Sequence, residues 1–333
     1  MATWNASAFS GRPLLDLTSY ARRGPGRRDR VPAEEVALIA RTVRHAPEVM
    51  VKVLTRGSTD VGSVVRHFGY LGRYGELALE TDDGDQLAGR ALGKEVANRW
   101  DLDLGEYGRS ADVSENRGRQ PARLVHKLMF SMPAGTPPQA VLKAARNFLR
   151  EEFGLKHRYA LVLHTDEPHP HVHAVVKAVS EQGVRLHIKK ATLRFWRHEF
   201  ARHLRAQGVE ANATERSVRG QSRTSQPDPI YRTAERGCSY HVAERARKVL
   251  QELAAGGVAI EAAPQLRKTR SMVVRGWEAI ADALRRDGRQ QLADEVERFA
   301  GRMQPVRTDK EWWARKFVEA ARRSPVRGRT ITR

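Results

Sequence analysis

Residues 163–177 read LHTDEPHPHVHAVVK and hold four of the twelve histidines and one aspartate within ten positions. The runs on either side, Tyr159 to Leu163 and Val172 to Val179, are rich in β-branched and apolar residues, so both halves are expected to be strands of a buried sheet. Strand alternation then sets His171 and His173 on one face and turns Val172 to the other. His164 ends the preceding strand, and the connection carrying Asp166 and Pro168 can fold it back toward the pair. Three neutral imidazoles meeting at one point form a divalent-metal arrangement with coordination positions left open, as catalysis requires. A lone HxH pair arises often by chance, and a single buried histidine is commonly a hydrogen-bonded core residue. The full spacing HxDxxxxHxH, laid out strand to turn to strand, is far more specific. A polar surface cluster or an adventitious site is the competing reading.

The chain has 333 residues, long enough for one large domain and a smaller one. Its formal net charge is +20 with a pI near 10.7, and the excess is mostly arginine, which suits bidentate contact with phosphate. Nucleic acid is the expected partner, against the plainer reading of a merely soluble, highly charged surface. No long amphipathic basic helix stands out for an anionic membrane. Cys238 is the only cysteine, which leaves no disulfide framework and no cysteine-based zinc site and fits a reducing compartment. No apolar run approaches the length of a membrane span, and MATWNASAFSGRPLLDL lacks the basic start and apolar centre of a signal peptide. A cytoplasmic location, with no membrane insertion, is expected.

Four segments follow from the punctuation of the chain. Residues 1–47, with ARRGPGRRDRVP and a short helical stretch from Ala33 to Arg44, are expected to be a mobile basic arm, either in contact with DNA or without a contact role. Residues 48–220 are expected to form the main domain. Within it VMVKVL is a strand, and a helix from about Val61 to Arg73 carries the apolar stripe Val61, Val64, Val65, Phe68 and Leu71. Tyr70 lies about 200° from Phe68 at ~100° per residue, off that stripe. A strand at Glu76 to Thr81, a turn at Asp82-Asp83-Gly84 and a helix through Trp100 precede a polar loop from Tyr107 to Pro121. RLVHKLMFSM then reads as a central strand. Thr136-Pro137-Pro138-Gln139 reads as a capped start of the helix that ends at Gly154. Thr192 to Gln207 is an amphipathic helix with Leu193, Trp196, Phe200 and Leu204 inward. Residues 221–238 are expected to be a linker, within the polar run that holds RSVRGQSRTSQPDPIYRTAERG. Residues 239–333 are expected to be a small all-helical part, its last helix opened by a capping box of Thr308 and Glu311. Trp277, Trp312 and Trp313 are expected to pack this bundle rather than stack on bases.

A divalent ion on three imidazoles keeps its positive charge and polarises a bound phosphate oxygen. Attack by water would make a simple nuclease, whereas attack by a tyrosine hydroxylate would give a phosphotyrosine that conserves the bond for rejoining. Tyr70, off the core face and near Arg73, is the best-placed nucleophile. A phenol is a weak nucleophile at neutral pH. Asp166 is therefore a candidate proton acceptor, with the equal alternative of holding a ligand imidazole in its tautomer. His169, between Pro168 and Pro170, is either a substitute ligand or a phosphate contact. Arg73, Lys177, Lys189 and Lys190 are further candidates for contact with DNA. Imidazole ligands suit zinc, nickel or manganese, while phosphoryl transfer commonly uses magnesium or manganese.

HxDxxxxHxH with its HPHVH centre, preceded by HFGYLGRYGELALETDDG and accompanied by SMPAGT, FWRHEFARHLRAQG and ATERSVRG, resembles the conjugative relaxases of the HUH endonuclease superfamily. The likeness is to the MOBP-like mobilisation type that includes the T-DNA border endonuclease, and runs from about Val49 to Gly220. It implies an α+β fold with a central antiparallel β-sheet flanked by helices, and a single-stranded stretch of a transfer origin as substrate. By position it implies Tyr70 as the nicking tyrosine, His164, His171 and His173 as metal ligands, and Asp166 as the acid linked to activating the tyrosine. Tyr74, sharing a helix face with Tyr70, is a candidate second nucleophile. The resemblance also implies accessory relaxosome proteins and a coupling ATPase of a type IV secretion system, which the basic arm or helical tail is placed to meet. No GKT or GKS phosphate-binding loop is present, so unwinding has to come from elsewhere.

The leading expectation is a site- and strand-specific nicking enzyme that keeps the 5′ phosphate on Tyr70. A replication initiator or transposase would use the same metal and tyrosine. A non-catalytic DNA-binding protein with a structural metal site, and a water-using metal hydrolase, are the rivals from other classes. Both predict indifference to Tyr70→Phe.

Overall fold

The structure, a computed structural model, describes residues 15–23, 30–54, 58–103, 122–221, 240–256 and 264–323. The polar loop expected at 107–121 and nearly all of the linker expected at 221–238 lie outside them. The described residues divide into two compact units, one within residues 44–213 and the other within residues 15–43 and 214–323.

The first unit is built on six strands: β1 Met50–Val53, β2 Leu79–Thr81, β3 Gln86–Leu87, β4 Val125–Ser131, β5 Tyr159–His164 and β6 His171–Lys177. Their order in the sheet is β1-β4-β6-β5-β2-β3, and every neighbouring pair is antiparallel. The α+β sheet expected from the sequence is therefore present, with β6 and β5 at its centre. Alternation along the strands gives the sheet two different faces. Leu128, Phe130, Val172, Ala174 and Val176 pack against α5 Pro138–Phe153 and α6 Lys190–Ala206 in a core that includes Phe148, Trp196 and Phe200. Val125, Ala160, Val162 and Val175 point the other way, onto α3 Val61–Leu71 and α4 Leu92–Arg99 with Phe68 and Trp100. Burying both faces stabilises the sheet chiefly through removal of aliphatic and aromatic surface from water.

One helix start and one helix end differ from the sequence reading. Thr136 does not cap α5: its hydroxyl donates to the Pro133 carbonyl at 2.9 Å, and Pro137 is the residue before the first turn. With prolines at 137 and 138 the first-turn donors are partly absent anyway, so little is lost without a side-chain cap. Helix α3 stops at Leu71 rather than near Arg73, because Arg73 and Tyr74 have left-handed φ of 49° and 56°. Tyr74 is thereby taken off the helical face it was expected to share with Tyr70.

In the second unit, α1 Leu17–Arg23 and α2 Ala33–Val43 accompany α7 Tyr240–Ala254, α8 Pro264–Arg286, α9 Gln290–Gly301 and α10 Asp309–Arg323. The described part of the stretch expected to be a mobile arm is thus helical and buries Leu15, Leu17, Leu38 and Ile39. Helix α1 lies so close to α8 that a Cβ at Gly276 would sit 2.5 Å from the Leu17 carbonyl oxygen. Trp277 is fully buried, meets Phe299 at 5.2 Å, and donates its indole N–H to the Val218 carbonyl at 2.9 Å. Trp312 and Trp313 are half-buried and meet edge to face at 5.0 Å. The capping box at the start of α10 forms as expected, with the Thr308 amide donating to Glu311 and the Glu311 amide to Thr308 Oγ1 at 3.2 Å. Among the described residues no helix is long and apolar enough to cross a membrane.

Candidate active site

β5 ends where β6 begins to pair with it, and the register sets His164 opposite His171. His173 comes two residues later on the same face, so three rings are brought together by strand pairing alone. Their centroids are 5.5 Å (His164 to His171), 4.8 Å (His164 to His173) and 5.1 Å (His171 to His173) apart. One ring nitrogen from each falls within 4.8 Å of the others. This is the face covered by α3 and α4, which puts the end of α3 over the cluster.

Two of the three rings are oriented by what their other nitrogen does. His164 Nε2 lies 2.9 Å from the Leu71 carbonyl, so Nε2 carries the proton and the Nδ1 lone pair is left to face inward. His171 Nδ1 donates to the His169 carbonyl at 3.0 Å and leaves Nε2 available. His173 Nδ1 is buried with no hydrogen-bond partner. Burial, reinforced by the neighbouring imidazoles, His67 and Arg73, lowers the His173 pKa to about 3. Burial also lowers His164, against the opposing effect of the Leu71 carbonyl. Three converging imidazoles, one with an orphaned buried nitrogen, fit a divalent cation.

Helix α3 carries the rest. Asp60 caps it by accepting from the Ser63 amide at 2.7 Å, and Val64, Phe68 and Leu71 fasten it to the sheet. Tyr70, 49% exposed, points off that buried stripe as expected. The left-handed turn after the helix brings Arg73 back over the Tyr70 ring, 5.5 Å from its centroid, and into an ion pair with Asp166. Burial, the largest single influence, pushes the Asp166 carboxyl up; its own backbone amide, Arg73, His164 and His171 outweigh it and hold the group below its usual value. Asp166 is therefore a carboxylate at neutral pH, paired to the cation that covers the tyrosine.

The structure brings Tyr70, Arg73, Asp166, His164, His171 and His173 together. Tyr74 is next to them in sequence but 73% exposed. His169 is exposed and contributes its carbonyl, not its ring, to orienting His171. Lys177 is not brought to the cluster: it ends β6, six residues or ~20 Å along the strand from His171, and pairs with Glu181 at 3.0 Å. Lys189 and Lys190 are exposed at the start of α6. Two nearby residues were missed in the sequence. His67, one turn before Tyr70, stacks with it at 6.5 Å and is lowered to about 4 by burial and by Lys127. Lys127, on β4, is itself lowered by burial against the pull of Asp60. The spacing of HFGY holds the only sequence signal for His67. A second convergence, Glu151, Glu199 and His203, already surrounds the guanidinium of Arg202, which pairs with both carboxylates at 2.7 Å.

Residues 105–209 match the family model described as relaxase, MobA/VirD2-like, nuclease domain. The match takes in the three histidines and Asp166, and Tyr70 precedes it. The chain is 27% identical over 143 residues to the T-DNA border endonuclease VirD2 of Rhizobium radiobacter, covering 39% of this chain and 31% of that protein. It is 29% identical over 143 residues to the VirD2 of Rhizobium rhizogenes, covering 39% and 30%. The VirD2 of Agrobacterium fabrum is 27% identical over the same length and shares. The chain thus spans about a third of the length of these curated relatives. No solved structure matches it. Residues 105–209 are thus similar to a MobA/VirD2-like relaxase nuclease domain, and the antiparallel sheet with the paired histidines on its central strand accords with that likeness.

Proposed function

We propose that the protein is a relaxase that nicks single-stranded DNA at a transfer origin and holds the 5′ end as a phosphotyrosine on Tyr70. The observation that carries this reading is the hydrogen bond from His164 to the Leu71 carbonyl, which ties the end of the tyrosine helix to the histidine cluster. Tyr70 Oη attacks phosphorus, the bond from phosphorus to the 3′ oxygen breaks, and the released 3′ hydroxyl takes up a proton. Reversal by a 3′ hydroxyl rejoins the strand without another energy source.

His164, His171 and His173 hold a divalent cation, which supplies positive charge for a non-bridging phosphate oxygen when bound. Magnesium or manganese fits the chemistry, with zinc or nickel as the alternatives that imidazoles also accept. Arg73 keeps Tyr70 in place through its ring and offers a guanidinium to the same phosphate. Asp166 holds Arg73, the cation over the Tyr70 ring, and is the carboxylate assigned to accept the phenol proton. His169, Lys177, Lys189 and Lys190 contact the strand beyond the reacting phosphate. Residues 48–220 act as the nuclease domain in the bacterial cytoplasm. Accessory relaxosome proteins and the coupling ATPase of a type IV secretion system are the partners this reading assigns to the helical part from 239 to 333 or the N-terminal stretch 1–47.

The test is a denaturing gel of the full chain with Mg²⁺ or Mn²⁺ and labelled single-stranded oligonucleotides tiled across the DNA flanking its gene. A nicked product, abolished by EDTA and by His171→Ala, is expected. Strong binding with no cleavage on any tile would favour a DNA-binding protein with a structural metal site.

A further inference from the structure

On the face of the sheet turned away from the histidines, β1 ends at Val53 while β4 continues back to Val125. The corner this leaves is a cavity of about 390 Å³. One wall is Val53, Leu186, Ile188 and Leu193, half-buried aliphatics that pack on the main core. The other is formed by Arg123, His126, Arg185 and His187. Arg185 donates to the Arg123 carbonyl at 3.1 Å, which fixes the two residues relative to each other. Neither ring nitrogen of His126 has a hydrogen-bond partner, although both are shielded from water. Burial lowers its pKa to about 4, with Arg123 and Arg185 adding to the effect against the nearby Leu186 backbone. His126 is therefore neutral at pH 7.

An apolar wall, a neutral imidazole and two arginines fit a body with a π-face and polar edges joined to an anion. A nucleotide has this chemistry. It could come from the DNA strand or be a free mononucleotide. The cations continue out of the corner, with exposed His187, Lys189 and Lys190 following Arg185 along the segment RLHIKK into α6. A continuing row of positive charge matches a polyanion better than a single phosphate.

We propose that this corner is a subsite for one nucleotide of the bound DNA strand, an inference that rests on the relaxase reading: the base lies on the aliphatic wall against His126, and its phosphate between Arg123 and Arg185.

The test uses the full chain, fluorescein-labelled (dT)20, an abasic 20-mer of equal charge, dTMP, and a (dT)20 containing 4-thiothymidine. The wild type should bind (dT)20 more tightly than the abasic strand. Arg185→Ala should weaken (dT)20 by five- to tenfold and His187→Ala by two- to fivefold, with the preference over the abasic strand reduced in both. Photocrosslinks should fall in residues 122–126 or 185–193 of the wild type, a readout that does not depend on a variant folding. Tight strand binding that neither substitution weakens, with crosslinks elsewhere, would overturn the subsite and leave the relaxase reading intact. Micromolar binding of dTMP that (dT)20 does not displace would assign the corner to a free nucleotide and overturn the strand assignment. A wild type that binds neither would remove both the subsite and the DNA reading.

Discussion

His164 Nε2 donates to the backbone carbonyl of Leu71, the residue after Tyr70, across 2.9 Å. The bond fixes the tautomer of a ligand imidazole and the position of the tyrosine helix at once. His164→Ala should therefore lower the melting temperature, through loss of a buried hydrogen bond of about 1–3 kcal/mol. It should also weaken Mn²⁺ binding by ~10–100-fold in calorimetry. A variant that loses only metal affinity would show that the Leu71 contact does not hold the helix.

Arg73 and Asp166 make a pair that acts on Tyr70 through the guanidinium over its ring. If Asp166 works only by holding Arg73, Arg73→Ala and Asp166→Ala should each lower the rate of adduct formation, and the double variant should fall no further than the worse single. If Asp166 also takes the phenol proton, Asp166→Ala should be the more damaging, and its rate should gain steeply as the pH is raised. Single-turnover rates across a double-mutant cycle distinguish these outcomes.

Helix α4 approaches α3 so closely that a Cβ on Gly93 would lie 2.3 Å from the Val65 carbonyl oxygen. Gly93→Ala must push α3 away from its neighbours, at a cost of about 1–3 kcal/mol. The expected result is a lower melting temperature together with slower adduct formation, although residue 93 touches no reacting group. Normal stability with normal rate would contradict the close packing.

Acid should destabilise the metal-free protein before its carboxylates titrate. His173 is lowered from 6.5 to about 3, and His67 and His126 each to about 4. The unfolded chain thus binds protons first, and the stability carried by these neutral rings is complete above about pH 6.5 and is lost as the pH falls toward 3–4. With EDTA present, the melting temperature should drop steadily between pH 7 and pH 4. Replacing His67 by Leu should flatten part of that slope. A melting temperature constant over this interval would contradict the burial of these rings.

Much of this site could be read from residues 163–177, because strand alternation and antiparallel pairing depend on local sequence and suffice to bring His164, His171 and His173 together. Tyr70 was legible as an aromatic off a helical stripe. The left-handed turn at Arg73 and Tyr74 was not, since neither residue type favours that conformation and the helical period continues through them. It is this turn that aims Arg73 at Asp166 and removes Tyr74 from the face of Tyr70. The helix at Ala33–Val43 was legible as a stretch from Ala33 to Arg44, whereas the one at Leu17–Arg23 was hidden by the arginines, glycines and proline that follow it. The corner around His126 left no sequence signal, as its walls come from three segments separated from one another by about sixty to seventy residues.

The most direct test of the central claim is to locate the covalent bond. The protein–DNA adduct formed with Mn²⁺ would be digested with protease and nuclease, and the peptide carrying a residual nucleotide sequenced by mass spectrometry. The account predicts a 5′-phosphate on Tyr70 and no adduct in Tyr70→Phe. A nucleotide on Tyr74, or cleavage that leaves no protein-linked product, would contradict it.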